Sequence, residues 1–143
     1  MAEYSGGVMV DSTVQAPTSC SMMRDTRASI LKASGLVRAS GFEIAAMAAR
    51  MDADTVAIVG SAPNYPFGTF DPIADLAALA AARGVWMHVD ACVGGFLAPY
   101  VRSLGHPVPP FDLSVPGVTS LSADIHKHGM APKGASLLLL ADA

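Results

Sequence analysis

The stretch Thr55–Ala91 reads TVAIVGSAPNYPFGTFDPIADLAALAAARGVWMHVDA and predicts a strand, a helix and a second strand. Its first seven residues are continuously apolar and rich in β-branched side chains, which is typical of a strand buried on both faces. A proline-rich loop follows, and Asp71 is expected to cap the helix Ile73–Arg83. Gly84 then ends the helix, and Val85–Ala91 forms the second buried strand.

The same alternation extends along the chain beyond this unit. The helix formers of Phe42–Met51 predict a helix before it, and Phe96–Leu104 predicts another after a loop that opens at Gly94. Two more strands are predicted at Val118–Ala123 and Ala135–Ala141. Alternating strands and helices indicate an α/β domain with a mostly parallel sheet and helices on both of its faces.

Residues 1–41 form a poorly patterned N-terminal segment. Met22–Ala39 is long enough for a helix, but its apolar residues have irregular spacing, and we assign no element to it. The patterned domain therefore begins at residue 42.

Composition excludes several classes of protein. Of the 143 residues, 52% are apolar and only 15% are charged, which excludes a disordered chain. The net charge is −3 and only 9 residues are Lys or Arg, so we expect no nucleic-acid partner. We expect no transmembrane span, because the sequence contains no run of about 18 uncharged apolar residues. Two distant cysteines and the lack of a basic leader favour a reducing, cytoplasmic location.

Reactive side chains follow two of the predicted strands, where working residues of parallel sheets lie. Asp90 closes an apolar strand, where a carboxylate is costly unless it is paired. Three roles are open for Asp90: it caps a helix, it belongs to a buried ion pair, or it is held at the strand end as the partner of a cation. Lys127, in the string DIHKHG, is either a solvated side chain or a desolvated amine that forms Schiff bases with carbonyl compounds.

Other candidates near these strand ends carry less weight. A buried structural role for Cys92 is favoured over that of a nucleophile, since it follows an apolar strand. His126 and His128 have i, i+2 spacing, which suits a strand better than a loop, and the sequence offers no third ligand. We therefore expect no metal site.

Three motifs occur together in one order: SAPNYP at Ser61–Pro66, HVDACVGGF at His88–Phe96, and SADIHKHG at Ser122–Gly129. They resemble the sphingosine-1-phosphate lyases, within the group II decarboxylase branch of pyridoxal-phosphate enzymes. The resemblance covers residues 42–143. It implies that these residues are part of a large domain of fold type I, a three-layer αβα sandwich, and that the enzyme is a homodimer.

The resemblance also implies a role for each site residue. Lys127 carries pyridoxal 5′-phosphate as a Schiff base, Asp90 pairs with the pyridine nitrogen, and Ala91 lies under the ring. His126 is similar to a family histidine near the cofactor phosphate. Lys133 matches a second family lysine that assists proton transfer or substrate binding; its alternative is a surface lysine. An aspartate beside the ring nitrogen keeps that nitrogen protonated and makes the cofactor an electron sink.

The implied activity is retro-aldol cleavage of a phosphorylated sphingoid base, a lipid-like amine, into a fatty aldehyde and phosphoethanolamine. Two alternatives stay open: an amino-acid decarboxylase, and a non-catalytic fragment that only self-associates. Departures from the family at Phe67, His128 and Met130 bear on substrate identity. The family's phosphate-binding loop and its small C-terminal domain have no counterpart in the sequence. We therefore expect a central piece of a longer enzyme that is inactive by itself.

Overall fold

The computed structural model describes residues 28–32, 35–39 and 44–141. Within these ranges the chain forms six strands and three helices. In chain order they are β1 (Ala28–Lys32), β2 (Gly35–Ala39), α1 (Ile44–Arg50), β3 (Thr55–Ser61), α2 (Ile73–Arg83), β4 (Trp86–Asp90), α3 (Gly94–Ser103), β5 (Ser120–Asp124) and β6 (Ser136–Leu140).

The six strands form one mixed sheet in the order β2-β1-β3-β4-β5-β6. The centre is parallel, because β3 pairs with β4 and β4 with β5 in the same direction. Strand β1 is antiparallel to both β2 and β3, and β6 is antiparallel to β5. Strands β2, β3, β4 and β5 therefore share one direction, and the predicted α/β class with a mostly parallel sheet is confirmed.

The central unit agrees closely with its prediction. Strand β3 and helix α2 have the predicted bounds, and β4 lies within Val85–Ala91. Helix α2 ends at Gly84, whose φ of 63° is left-handed and closes the last turn. The predicted strands near the C-terminus appear as β5 and β6, each shifted by one or two residues at an end.

The role predicted for Asp71 is wrong. Helix α2 has no side-chain cap, and Asp71 Oδ2 instead accepts a hydrogen bond from the Ser61 backbone N–H at 2.7 Å. The carboxylate thus satisfies the end of β3 rather than the start of α2. It holds the loop between them against the sheet.

Two further expectations are corrected. Gly94 begins α3 instead of opening a loop, and a Cβ at this position would collide with the Ala62 carbonyl oxygen. In the N-terminal segment, where the sequence assigned nothing, β1 and β2 form an antiparallel pair attached to β3. Residues 22–27 of the stretch considered for a helix lie outside the described residues.

Helices α2 and α3 pack on the same face of the sheet. A Cβ on Gly60 of β3 would lie 2.7 Å from Ile73 in α2, and a Cβ on Gly95 of α3 would lie 2.5 Å from Ala123 in β5. The strand register puts Gly60 and Ala123 on one face, through Val89 of β4. Two right-handed crossovers that progress in one direction produce this arrangement. The largest fully buried side chains lie in this layer or the sheet below it: Ile58, Ile73, Leu76, Met87 and Val89.

On the opposite face, the part of the sheet formed by β4, β5 and β6 is left open by the described residues. Trp86, Leu138 and Leu140 lie on it with 48%, 64% and 59% of their surface exposed. The second helical layer expected from the sequence is not found among residues 28–32, 35–39 and 44–141. None of the three described helices has the length and apolar character needed to cross a bilayer.

Candidate active site

The sheet register brings the end of β4 beside the end of β5. His88 pairs with Ser120 and Asp90 with Ser122, all on the open face. Asp90 is half-buried, and its Oδ1 accepts hydrogen bonds from the Cys92 backbone N–H at 3.1 Å and from the Ser122 hydroxyl at 3.5 Å. The carboxylate at the end of this apolar strand is therefore satisfied locally.

Lys127 lies in the turn that follows β5. Its Nζ is 2.9 Å from Asp124 Oδ2, and its side chain is 37% exposed. Asp124 also accepts a hydrogen bond from the Ser136 hydroxyl of β6 at 2.6 Å. Hydrogen bonding to Asp124 raises the pKa of Lys127 well above its ordinary value, and the same bond lowers the pKa of Asp124. The amine is thus held as an ammonium ion.

Cys92 lies between the two charged groups. Its thiol interacts with both Lys127 and Asp90, so the two residues singled out by the sequence meet at one place. Burial raises the pKa of the thiol, and the bond from Lys127 opposes this rise. A raised pKa disfavours the thiolate, which agrees with the predicted structural role.

A pocket of ≈ 500 Å³ opens beside Lys127, within the ~300–1,000 Å³ range of small-molecule sites. One wall is the loop after β3, which is braced by the buried Asn64: its side chain donates to the Thr69 hydroxyl at 2.7 Å and accepts from the Phe67 N–H at 3.1 Å. The lining residues are Pro63, Asn64, Tyr65, Gly68, Val93, Lys127 and His128.

The remaining candidates are spread around this centre. His126 Nδ1 lies 2.9 Å from the Ala135 carbonyl oxygen, in the turn that carries Lys127. Ala91 is completely buried on the helix side, near Gly95. Lys133 is exposed in the loop before β6. Lys127 lines the pocket, whereas Asp90, His126, Ala91 and Lys133 are not among its lining residues. The structure brings Asp90 and Lys127 together at the ends of neighbouring strands, with His126 in the turn that carries Lys127.

Sequence reasoning missed the partners of the two charged groups. Asp124 was noted only as the start of a reactive string, although its i, i+3 spacing to Lys127 is a signal for an ion pair. Ser122 carried no signal, because its contact with Asp90 depends on the strand register. Within the described part of the chain, His, Cys, Asp and Glu side chains form no group of three suited to a metal ion.

Comparison with known proteins identifies a family with a similar sequence. The family model described as the pyridoxal-dependent decarboxylase conserved domain matches residues 23–143. Sphingosine-1-phosphate lyase of Arabidopsis thaliana is 50% identical over 97 residues, which are 68% of this chain and 18% of the relative. The Drosophila melanogaster lyase is 52% identical over 89 residues, covering 62% and 16% of the two chains.

A solved structure is also similar, that of a sphingosine-1-phosphate lyase from Burkholderia pseudomallei. It is 53% identical with a TM-score of 0.65, and the match covers 68% of this chain and 22% of that one. The chain thus spans less than a quarter of the length of these three relatives.

Proposed function

The chain belongs to the pyridoxal-dependent decarboxylase family, and on this premise we propose that it supplies the cofactor-binding segment of a carbon–carbon lyase. The substrate class is a phosphorylated sphingoid base, as the names of relatives about half identical to this chain suggest. The observation that carries the proposal is the pairing of β4 with β5, which puts Asp90 at the end of one strand beside the turn after the other, where Lys127 lies against Asp124.

The residues around the Cys92 thiol fit pyridoxal 5′-phosphate in charge, and the pocket beside Lys127 offers space for it. Lys127 offers a primary amine for the cofactor aldehyde, and it lines a pocket of suitable size. Asp90 offers a carboxylate for the protonated ring nitrogen. His126 is the candidate neighbour of the phosphate. When bound, the cofactor supplies a conjugated ring that accepts the electron pair of a breaking bond.

The proposed reaction is a retro-aldol cleavage. The C2–C3 bond of the substrate breaks, its electron pair stays on C2, and the 3-hydroxyl loses its proton as C3 becomes the carbonyl carbon of a fatty aldehyde. A proton then returns to C2, which gives phosphoethanolamine. Lys127 would hold the cofactor and is proposed to move protons in these steps, and Lys133 is proposed to assist.

Asp124 sets the state of Lys127 before the reaction begins. An ammonium ion has no lone pair, so Lys127 must pass a proton to its surroundings before it attacks a carbonyl. The 2.9 Å contact with Asp124 gives that proton a fixed partner. We propose that this pair keeps the amine protonated and in place until the cofactor enters.

Assembly and location are part of the same proposal. A homodimer is supported by the exposed leucines of β6 at the edge of the sheet. A cytoplasmic location is supported by Cys92, which is a free thiol. Sedimentation velocity on the chain and subcellular fractionation test the two statements.

Cofactor binding is tested by adding pyridoxal phosphate to the chain, reducing with borohydride and mapping the labelled lysine by peptide mass spectrometry. We expect label on Lys127, with a visible absorption band that Lys127→Ala abolishes. Lys133→Ala is the matched control, because it removes an exposed lysine and is expected to leave the band in place. Equal label on both lysines would overturn the assignment.

Substrate class is tested in the same system without requiring turnover. A substrate amine displaces Lys127, so borohydride added afterwards labels the substrate in place of the lysine. We expect a phosphorylated sphingoid base to displace the label at lower concentration than amino acids do. Preferential displacement by an amino acid would favour decarboxylation over carbon–carbon cleavage.

A further inference from the structure

Five side chains form a continuous row of hydrogen bonds on the open face, across β4 and β5. The Trp86 indole N–H donates to Ser120 Oγ at 2.7 Å, and Ser120 Oγ lies 2.8 Å from His88 Nδ1. His88 Nε2 lies 3.3 Å from Ser122 Oγ, which donates to Asp90 Oδ1 at 3.5 Å. The row thus runs from the exposed Trp86 to the carboxylate at the end of β4.

The two ends of the row have fixed roles. An indole N–H only donates, so Ser120 accepts there and keeps its own proton for the imidazole. An ionised carboxylate only accepts, so Ser122 gives its proton to Asp90 and has only lone pairs left for His88. His88 therefore has to donate at Nε2, and a neutral ring that donates there accepts the Ser120 proton at Nδ1.

We propose that His88 is a positioning residue, held as the neutral Nε2–H tautomer, whose one-way hydrogen-bond row through Ser122 orients the Asp90 carboxylate. This role rests on the proposed function, in which Asp90 pairs with the cofactor ring nitrogen. The tautomer itself is a property of the chain without cofactor.

Burial supports a neutral imidazole. Desolvation lowers the pKa of His88 from its ordinary value, against the opposing effect of the nearby Asp90. A neutral ring has one donor and one acceptor, which is what the two serines on either side require. A protonated ring would donate at both nitrogens, and Ser122 would still be able to donate to Asp90. The neutral charge state of His88 therefore matters because a neutral ring has one N–H, and the serines determine which nitrogen carries it.

The row has a consequence for Asp90. The Ser122 hydroxyl and the Cys92 N–H both bond to Oδ1, and neither uses Oδ2. Two donors on one oxygen fix the rotation of the carboxylate, so its second oxygen keeps a constant direction. A partner that carries an N–H, such as a protonated ring nitrogen, fits that oxygen.

The test is the tautomer of His88 in the full chain, read by magic-angle-spinning NMR with ¹⁵N-labelled histidine at neutral pH. His88→Gln identifies the signals, since the chain has four histidines. We expect the His88 proton on Nε2. In Ser122→Ala, His88 Nε2 no longer has a hydroxyl oxygen to which it must donate. We expect the ring proton to move to Nδ1, where it can be donated to Ser120.

Controls separate positioning from general damage to the fold. Ser122→Thr keeps the hydroxyl and is expected to restore the Nε2–H tautomer, whereas Ser114→Ala, in an exposed turn, is expected to change nothing. An Nδ1–H or doubly protonated His88 in the unsubstituted chain overturns the inference, and so does an unchanged tautomer in Ser122→Ala. Because no cofactor is added, these outcomes are independent of whether Lys127 binds pyridoxal phosphate.

Discussion

At the scale of single residues, the protonation of Lys127 depends first on its neighbour Asp124. Asp124 Oδ2 lies 2.9 Å from the amine and is itself fixed by Ser136, so the ion pair has a defined geometry despite its partial exposure. The pair favours the ammonium form over the amine that reacts with carbonyl compounds. Asp124 therefore controls the pH at which Lys127 becomes a nucleophile.

Replacement of Asp124 by Asn removes the charge but keeps the shape. We expect the pKa of Lys127 to fall by about one unit or more, as loss of a close opposite charge generally produces. The measurement is the rate of borohydride-trapped labelling of Lys127 by pyridoxal phosphate as a function of pH. The midpoint of that profile is expected to move to lower pH.

Asp112→Asn is the matched control, because Asp112 pairs with Arg102 at 4.0 Å and with the Ser114 turn, away from Lys127. Its labelling profile is expected to coincide with that of the unsubstituted chain. If the Asp124→Asn profile also coincided with that of the unsubstituted chain, the ion pair would not be what keeps Lys127 protonated.

The Asp124 carboxylate also makes the free energy of unfolding depend on pH. The pKa of Asp124 is lowered in the folded chain, first by the hydrogen bond from Lys127. Its contribution to stability is thus complete above the unfolded value, near 3.8, and is lost as the pH falls through the folded value. We expect the difference in unfolding free energy between the chain and Asp124→Asn to shrink below about pH 4. A constant difference from pH 7 to pH 2, measured by urea unfolding, would contradict this.

Sequence reasoning reached the charged groups of the site but not their partners. Asp90 and Lys127 are identifiable because each follows an apolar strand, where a charge is costly without a reason. The contact of Ser122 with Asp90 depends on the register between β4 and β5, 32 residues apart in the chain. Local spacing contains no information on that register.

At the scale of elements, Gly94 joins the start of α3 to the loop after β3. Helix propensity alone predicts that Gly94→Ala stabilises the chain by up to about 1 kcal/mol. The structure predicts the opposite sign, because a Cβ would collide with the Ala62 carbonyl oxygen and lie 2.8 Å from Pro63. We expect a loss of about 1–3 kcal/mol, as overpacking typically costs.

Chemical unfolding of Gly94→Ala measures this sign directly. Ser103→Ala, at the exposed other end of α3, is the control and is expected to change the unfolding free energy by less than about 0.5 kcal/mol. A neutral or stabilising Gly94→Ala would mean that α3 moves away from the loop at little cost.

The elements also differ in how far the sequence predicts them. Strand β3 and helix α2 were predicted to the residue, because buried apolar runs and a C-terminal glycine are local signals. Strands β1 and β2 were not, since β1 is stabilised by pairing with β3 and β2 by pairing with β1, and their own apolar spacing is irregular. The capping role of Asp71 failed for a similar reason: the Ser61 N–H competes for its carboxylate across ten residues.

At the scale of the whole molecule, the described residues cover one face of the sheet and leave the other open. Packing of α2 and α3 on one side follows from two right-handed crossovers in sequence. The open face combines the polar row that ends at Asp90 with apolar side chains of β6 at the sheet edge. The high apolar content suggested helices on both faces. Part of it instead lies on a surface that the described residues leave exposed.

The four leucines of β6 favour association of that surface with another chain. Leu137, Leu138, Leu139 and Leu140 are each between 41% and 64% exposed, and β6 has a free edge in the described sheet order. Exposed apolar edge strands are sites of association between chains. We therefore expect the 143-residue chain, purified by itself, to self-associate through β6 and the open face.

Sedimentation velocity over a concentration series tests this expectation with a paired substitution, Leu138→Lys and Leu140→Lys, on the open face. Removing two leucines from a contact, at about 1.5–3 kcal/mol each when fully buried, is expected to weaken association at least about tenfold. Leu104→Lys, at a 75% exposed position after α3, adds a charge away from β6 and is expected to leave association unchanged. If the paired variant associates as strongly as the unsubstituted chain, β6 is not the contact, and exposed apolar groups elsewhere, such as Val56, hold the chains together.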